Sequence, residues 1–379
     1  MHKDILISNE EEKRLIVGLE SKTDVKSERL RRVLGMPDLS RKEGSPLKAM
    51  VDRVLDIKDF ADFDNVIIPE VIPIEILFDL FDFAKDHPAR SESDTYYVDK
   101  KNVLRTHDTA MWYYYLNHPD TKKKIANNES FGVFCYGKVY RKDEIDRTHM
   151  NVFHQFGGLY LTPDSQQMLV IDDLKNALSK IVQGIFGFNV KFRFNPDIFP
   201  YTDPSLEVEI DINGKWLELL GGGMPKKTVL KNFGVEGYNG WAFGFGLERL
   251  AIAKMEIPDI RIFWSQDPRI QEQLKNLDSK YKEVSKYPSV ERDISFIIDK
   301  KISLNNYYEL VQDAAQGLIE EVKLMDQYEN DEKFGADKKS YTFHIVYRSL
   351  EKTLTNEEVN VIHDKITEKT KEEFGAVIR

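Results

Sequence analysis

The chain has 379 residues, 54 Lys+Arg against 64 Asp+Glu for a net charge of −10, and 41% hydrophobic residues including 22 Phe and 17 Tyr. That is enough for one large and one smaller packed domain, and it excludes a disordered composition. The single cysteine, Cys135, excludes a disulfide framework or a cysteine zinc site; no run approaches the roughly 20 apolar residues of a membrane span; and the bulk charge argues against a general nucleic-acid binder while leaving room for a local basic surface.

Residues 1–45 carry Arg, Lys and Glu at helical spacing as far as the break "GMPDLSRKEGSP", which predicts a helical N-terminal extension of one or two short helices and a linker. The acidic start lacks the apolar core of a signal peptide and the composition of a transit peptide, so a cytoplasmic location is favoured. An organelle reached after processing is the alternative. From "SPLKAMVDRVLDIKDF" a helix leads into a proline-punctuated segment at 65–83. Short β-like runs then follow: "DTYYVD", "FGVFCYGKVY", "FGGLYL", "VKFRFN", "SLEVEIDI" and "KWLELLGGG". Among them "IDDLKNALSKIVQGIFGF" (171–188) has an amphipathic helical pattern. In "SLEVEIDI", Glu207, Glu209 and Asp211 take every second position. The strand is either an ordinary half-exposed one or the wall of a cation-bearing site. "GWAFGFGLERLAIAKMEI" (240–257) is a glycine-rich strand-to-helix passage. Its Glu248 and Arg249 are either a partly exposed helical turn or a charged pair kept for use, since burying such a pair idle is costly.

After a polar linker at 271–286, composition changes again. Residues 287–379 read β ("RDISFIID"), α ("NNYYELVQDAAQGLIEEV"), β ("KLMDQYEN"), β ("SYTFHIVYRS"), α ("TNEEVNVIHDKITEKTKEEFG") and a short closing strand at "AVIR". This is a split βαβ, ferredoxin-like pattern. Thr355 and Glu358 offer a capping box to its last helix.

The densest chemistry lies in "GKVYRKDEIDRTHMNVFHQFGG" (137–158), where a crowd of charges joins two strand-like runs. It is either a solvated loop or the holder of a ligand as charged as itself. Arg141 offers a bidentate fork to a phosphate, and Asp143, two residues on, can orient it. His149 is a second phosphate contact, and Phe153 offers an aromatic face to a flat base. Arg249 can close the base from the other side. With acids on a neighbouring strand for Mg²⁺, these make an ATP site in a chain that lacks G-x-x-x-x-G-K-[ST].

The same hairpin resembles motif 2 of the class II aminoacyl-tRNA synthetases in the version found in phenylalanyl-tRNA synthetases, and "GWAFGFGLERLAI" with "IPDIRIFWSQDPR" resembles their motif 3. "DHPARSESDTYYV…LRTH" and "FPYTDPSLEVEI…KWLELLGGGM" resemble further catalytic signatures, and "KYPSVERDISFII…RSLEKTLTNEEVNVIHDKI" the ferredoxin-fold anticodon-binding domain. The resemblance implies an α+β chain: a class II antiparallel sheet flanked by helices at 46–270 and the anticodon-binding domain at 287–379. Both domains on one short chain imply the monomeric, mitochondrial-type architecture. The implied reaction takes L-phenylalanine and ATP, with Mg²⁺, to the adenylate, and then passes the acyl group to the 2′-OH of the terminal adenosine of tRNA-Phe.

Carried over by position, the resemblance makes Arg141 and Arg249 the catalytic pair. Arg141 grips the α-phosphate, Asp143 and His149 lie near the phosphates, Phe153 stacks under adenine, and Arg249 covers it. Glu218 is the carboxylate on the ATP and Mg²⁺ side. His107, Thr109 and Gln155 surround the substrate's ammonium and carboxylate, Phe199 and Tyr201 hold the phenyl ring, and Ala242 leaves the pocket deep enough for it. Two departures stand out. "HQFGG" puts Gly157 where the resemblance expects a glutamate for the ammonium, and Asp108, where many relatives have Thr, is the candidate replacement. Thr109 for Ser is milder. No region is long enough for an editing domain, so some mischarging with tyrosine is expected. The C-terminal domain has about 15 Lys+Arg against about 20 Asp+Glu from residue 281. Anticodon binding is therefore expected to rest on a few cations and base stacking, with a modest salt dependence and a hinge at 270–286. Two other readings are a paralogue that activates an amino acid for something other than tRNA, and a non-catalytic tRNA-binding relative. The second is disfavoured by intact Arg141 and Arg249.

Overall fold

A computed structural model describes residues 2–284, 287–315 and 317–379. Ten strands belong to the larger domain: β1 (Asp4–Leu6), β2 (Asp64–Ile67), β3 (Val71–Pro73), β4 (Asn102–Leu104), β5 (Phe131–Tyr140), β6 (Val152–Pro163), β7 (Phe192–Phe199), β8 (Thr202–Ile212), β9 (Lys215–Pro225) and β10 (Tyr238–Gly246). Eight of them form one sheet in the order β1-β2-β5-β6-β10-β9-β8-β7. From β5 to β7 every pairing is antiparallel, whereas β1–β2 and β2–β5 are parallel. The sheet is thus mixed at one edge rather than wholly antiparallel. β3 and β4 pair separately.

The central strands are apolar on both faces because both are covered. On one, Phe134, Phe156 and Phe243 pack with residues of helices Pro46–Leu55, Ile171–Phe186 and Leu247–Met255. On the other, Val133, Cys135, Leu159 and Ala242 meet Trp112 and Tyr115 of helix Met111–Leu116. Burying such aromatic and branched side chains contributes about 1.5–3 kcal/mol each, which fixes the register of β5, β6 and β10.

The C-terminal domain has β11 (Val290–Asp299), β12 (Ile319–Tyr328), β13 (Lys338–Tyr347) and β14 (Val377–Ile378), ordered β12-β13-β11-β14. Helices Leu304–Ala315 and Asn356–Phe374 pack on its apolar core around Phe296, Tyr307 and Phe343. The Thr355–Glu358 capping box forms as expected.

Four local expectations change. Residues 1–45 hold helices Glu10–Glu20 and Val25–Leu34, but also β1, whose Ile5 enters the core beneath the sheet edge. "DTYYVD" forms only one bridge, Tyr97 to Val103. "LIEEV" is not the end of a helix: Gly317, at φ +85°, lies between the helix and β12, which begins at Ile319. The stretch read as a linker starts inside helix Pro268–Leu274, whose Ile270 and Leu274 join the larger domain's core, and its last residues, 285 and 286, lie outside the described residues.

The domains meet through charges. Buried Glu320 of β12 accepts Arg147 Nε at 3.0 Å and pairs with Arg261 and Arg348. Glu309 accepts from the Tyr96 hydroxyl at 2.6 Å, and Arg29 and Arg32 both pair with Asp313.

Candidate active site

A cavity of about 720 Å³ opens over β6, β10 and β9. All twelve residues singled out from the sequence line it: Arg141, Asp143, His149, Phe153, Glu218, Arg249, His107, Thr109, Gln155, Phe199, Tyr201 and Ala242. They come from four strands, three connecting segments (107–109, 141–149 and 201) and a helix start, and β-sheet register brings them together. Its floor is bare. Gly157, Gly244 and Gly221 stand directly opposite one another on adjacent strands; the ligand space reaches the peptide groups at Gly244 and Gly221, while the Asp108 carboxylate covers Gly157.

One end of the cavity is cationic. Arg141 follows β5 and donates from Nε to the Thr106 carbonyl at 2.9 Å, which aims the guanidinium into the cavity. Its Cζ lies 5.3 Å from the centroid of the Phe153 ring. Desolvation holds it below its ordinary pKa, with Asp143 opposing. Arg249, on the first turn of helix Leu247–Met255, makes no hydrogen bond or ion pair among the described residues. His149 is raised by its bond to Asp146, Nδ1 to Oδ2 at 2.8 Å. Two guanidiniums without a carboxylate partner in one recess are a site for a polyanion.

The Glu248–Arg249 pair divides. Arg249 faces the cavity, whereas Glu248, 2% exposed, accepts from the His154 backbone N–H at 2.9 Å and from its Nδ1 at 2.6 Å. His154 Nε2 in turn accepts from the Leu39 N–H at 2.9 Å, which places the ring proton on Nδ1. This buried relay ties β6 to the helix bearing Arg249. Nothing in the sequence marked His154.

The acids of β8 follow the ordinary reading. Glu207 accepts from Asn195, Glu209 pairs with Arg193, and neither lines the cavity. Their charges still reach Glu218 of β9, which stands opposite Glu209 of β8. Burial and Glu207 push its carboxyl above the usual range, with Arg249 opposing. Among the described residues no three His, Cys, Asp or Glu form a self-sufficient metal cage.

The other end is aromatic and sunken. Phe199 and Tyr201 stack at 15° and 6.1 Å, and Tyr201 meets Phe81 and Trp112 edge-on. His107 stacks on Phe83 at 7° and 5.8 Å, and burial together with Arg141 lowers it to about 3, so it is neutral. Burial raises the Tyr201 hydroxyl above its ordinary value, with Thr109 opposing. Gln155 Oε1 accepts from the Asp108 N–H at 3.1 Å. Ala242 is 5% exposed on the same face as Gly244. Asn305, from the C-terminal domain, also lines the cavity and donates to Asp94 at 3.0 Å. A residue at the start of a helix in another domain carried no signal in the sequence.

Comparison with known proteins agrees with this geometry. Residues 33–274 match the family described as tRNA synthetases class II core domain (F), and residues 285–379 match the ferredoxin-fold anticodon binding domain. The chain is 36% identical over 362 residues to the chloroplastic/mitochondrial phenylalanine–tRNA ligase of Arabidopsis thaliana, covering 91% of this chain and 80% of the relative. The mitochondrial phenylalanine–tRNA ligase of Saccharomyces cerevisiae is 31% identical over 454 residues, covering 96% and 94%. The phenylalanine–tRNA ligase alpha subunit of Nostoc punctiforme is 36% identical over 242 residues, covering 63% and 69%. With a class II core, a ferredoxin-fold anticodon-binding domain and relatives aligned along most of its length, the chain belongs to the class II aminoacyl-tRNA synthetases, in their single-chain phenylalanine–tRNA ligase family.

Proposed function

We propose that the cavity activates L-phenylalanine with ATP and that the chain then charges tRNA-Phe. The observation that carries this reading is the pair of guanidiniums without a carboxylate partner, Arg141 and Arg249, sharing one cavity with the aromatic recess of Phe199 and Tyr201.

In the first step a carboxylate oxygen of phenylalanine attacks the α-phosphorus of ATP and pyrophosphate leaves. No covalent enzyme intermediate is needed, so the protein's part is positioning and charge stabilisation. Arg141 meets the charge that develops at the α-phosphate and steadies the incoming carboxylate. Asp143 and His149 frame the phosphates. Phe153 lies under adenine, and Arg249 covers it. Glu218, whose carboxyl is already burdened by Glu207, suits a cation and would help hold the Mg²⁺ that arrives with ATP. Bound there, the metal neutralises phosphate charge. In the second step the 2′-OH of the terminal adenosine attacks the acyl carbon and AMP leaves.

Phe199 and Tyr201 grip the phenyl ring, and Ala242 sets the depth of the recess. Neutral His107, with Thr109 and Gln155, offers hydrogen bonds to the polar end of the amino acid. The C-terminal domain undocks, parting its Glu320 from Arg147 and Arg261 and its Glu309 from Tyr96, to meet the anticodon, and the chain works as a monomer. A crosslink between the domains that leaves charging untouched excludes that motion. The names of the relatives favour an organelle over the cytosol that composition suggested, which cell fractionation tests.

The direct test is ATP–pyrophosphate exchange, followed by charging of unfractionated tRNA, with each of the twenty amino acids. Phenylalanine should dominate both. Exchange with another amino acid and none with phenylalanine overturns the assignment.

A further inference from the structure

We propose that Asp108 is the residue that binds the substrate's ammonium group, and that Gly157 is required because the Asp108 carboxylate occupies the space above it. This rests on the amino-acid-activating reading given above. Asp108 starts a short turn, Asp108–Ala110, and is 5% exposed. Its Oδ2 has no hydrogen-bond partner among the described residues. A carboxylate sunk this way is costly unless a cation comes to meet it.

The other acids lining the cavity are either engaged or, like Glu218, exposed. Glu248 holds His154, and Asp94 takes bonds from Ser93 and Asn305. Asp143 accepts from the Glu144 N–H, and Glu218 stands across the sheet beside Glu209. Only Asp108 is both buried and idle.

Its neighbours supply the rest of an aromatic amino acid's contacts. The charges of Arg141, which lines the cavity, and of buried Arg105 act on it; Tyr201 lines the same cavity, and Cys135 stands opposite Gly157 on β5. One corner therefore offers an anion for an ammonium, a guanidinium for a carboxylate and a ring for a ring. Burial raises the Asp108 carboxyl to about 7, as expected of an acid waiting for its counter-charge.

Gly157 and Asp108 exclude each other sterically. A Cβ at 157 would lie 2.7 Å from Asp108 Cγ and closer still to Oδ2, while one at Gly244 would stand 3.6 Å from Oδ1. Position 157 can therefore bear a side chain only if position 108 gives up its own. The acid expected on β6 has moved to the turn, and the strand was bared to receive it.

The test uses the full chain and compares phenylalanine with 3-phenylpropionate, which keeps the ring and carboxylate but lacks the ammonium. Asp108→Asn should raise the phenylalanine KM at least about 30-fold in pyrophosphate exchange. It should leave the ATP KM and the inhibition constant of 3-phenylpropionate within about twofold of the unaltered chain. Its melting temperature above pH 7 should hold or rise, because a buried charge has been removed. Asp108→Thr should lose a similar factor, and Asp108→Thr with Gly157→Glu should recover part of it by returning the acid to β6. An unchanged phenylalanine KM in Asp108→Asn, or equal weakening of both ligands, overturns the proposal while leaving phenylalanine activation intact. Absence of phenylalanine-dependent exchange in the unaltered chain removes the activation reading, and this proposal with it.

Discussion

At one end of the cavity Arg141, Arg249 and His149 reach into open space from a loop and a helix start; at the other, Asp108, His107 and Tyr201 are set into packed aromatic surface. The first end leaves Arg249 exposed and Arg141, though partly desolvated, without a carboxylate partner until a ligand arrives, so it costs the fold less than the second. The second holds its polar groups desolvated in advance, which costs stability and yields selectivity. Their protons move oppositely as well. Asp146 raises His149 above its ordinary value, with Asp143 assisting and Arg249 opposing, so the ring keeps its charge to higher pH than a free imidazole and loses it as pH rises. Asp108, held at about 7 by burial against Arg105 and Arg141, gains its charge as pH rises.

The largest effect that sharpens this contrast is at the open end. Arg141→Ala and Arg249→Ala should each lower the rate of adenylate formation by about 10²–10³-fold while leaving thermal melting unchanged. A melting loss equal to that of a core variant would erase the distinction between the two ends. Next in size, tyrosine should support pyrophosphate exchange about 10²-fold less well than phenylalanine, since an apolar recess resists an added hydroxyl only that far. A tyrosine rate at background would mean that the recess carries a discriminating polar contact. Smaller again is the pH dependence. The phenylalanine KM should rise about tenfold per unit below pH 7 as Asp108 takes up a proton, whereas the ATP KM should rise only on the alkaline side as His149 loses one. Parallel profiles for both substrates would show that one group controls both ends. The smallest effect belongs to the relay beneath the site: Glu248→Gln should lower stability by roughly 2 kcal/mol and activity only a few-fold, because Arg249 stays in place.

The open end was legible in the sequence because charges set between apolar runs are conspicuous: Arg141, Phe153 and Arg249 stood out by residue type and position alone. The sunken end was half legible. Gly157 and Asp108 showed as departures, but only coordinates put one carboxylate in the other's Cβ space. Glu248 and Arg249 could not be assigned sides, since adjacent helical positions point apart by about 100° and either can face inward. In the fold, β5 and β10 were readable from their apolar runs, while β1 was not, because three residues that pair in parallel with a strand sixty positions away leave no periodic signal. Leu318, Ile319 and Val322 fit a helical spacing as well as a strand's, and the helical reading ran through the break at Gly317 that separates helix from strand.

The row Gly157–Gly244–Gly221 bears on how this pocket can change and be inhibited. A side chain added at Gly244 enters the volume the substrate fills, and one at Gly157 or Gly221 runs into Asp108 or Phe199, so heritable variation is confined to the surrounding walls. An inhibitor that presses on the row meets peptide groups locked in the sheet's hydrogen-bond ladder. No point mutation deletes those groups, and escape from such a compound would have to come from above.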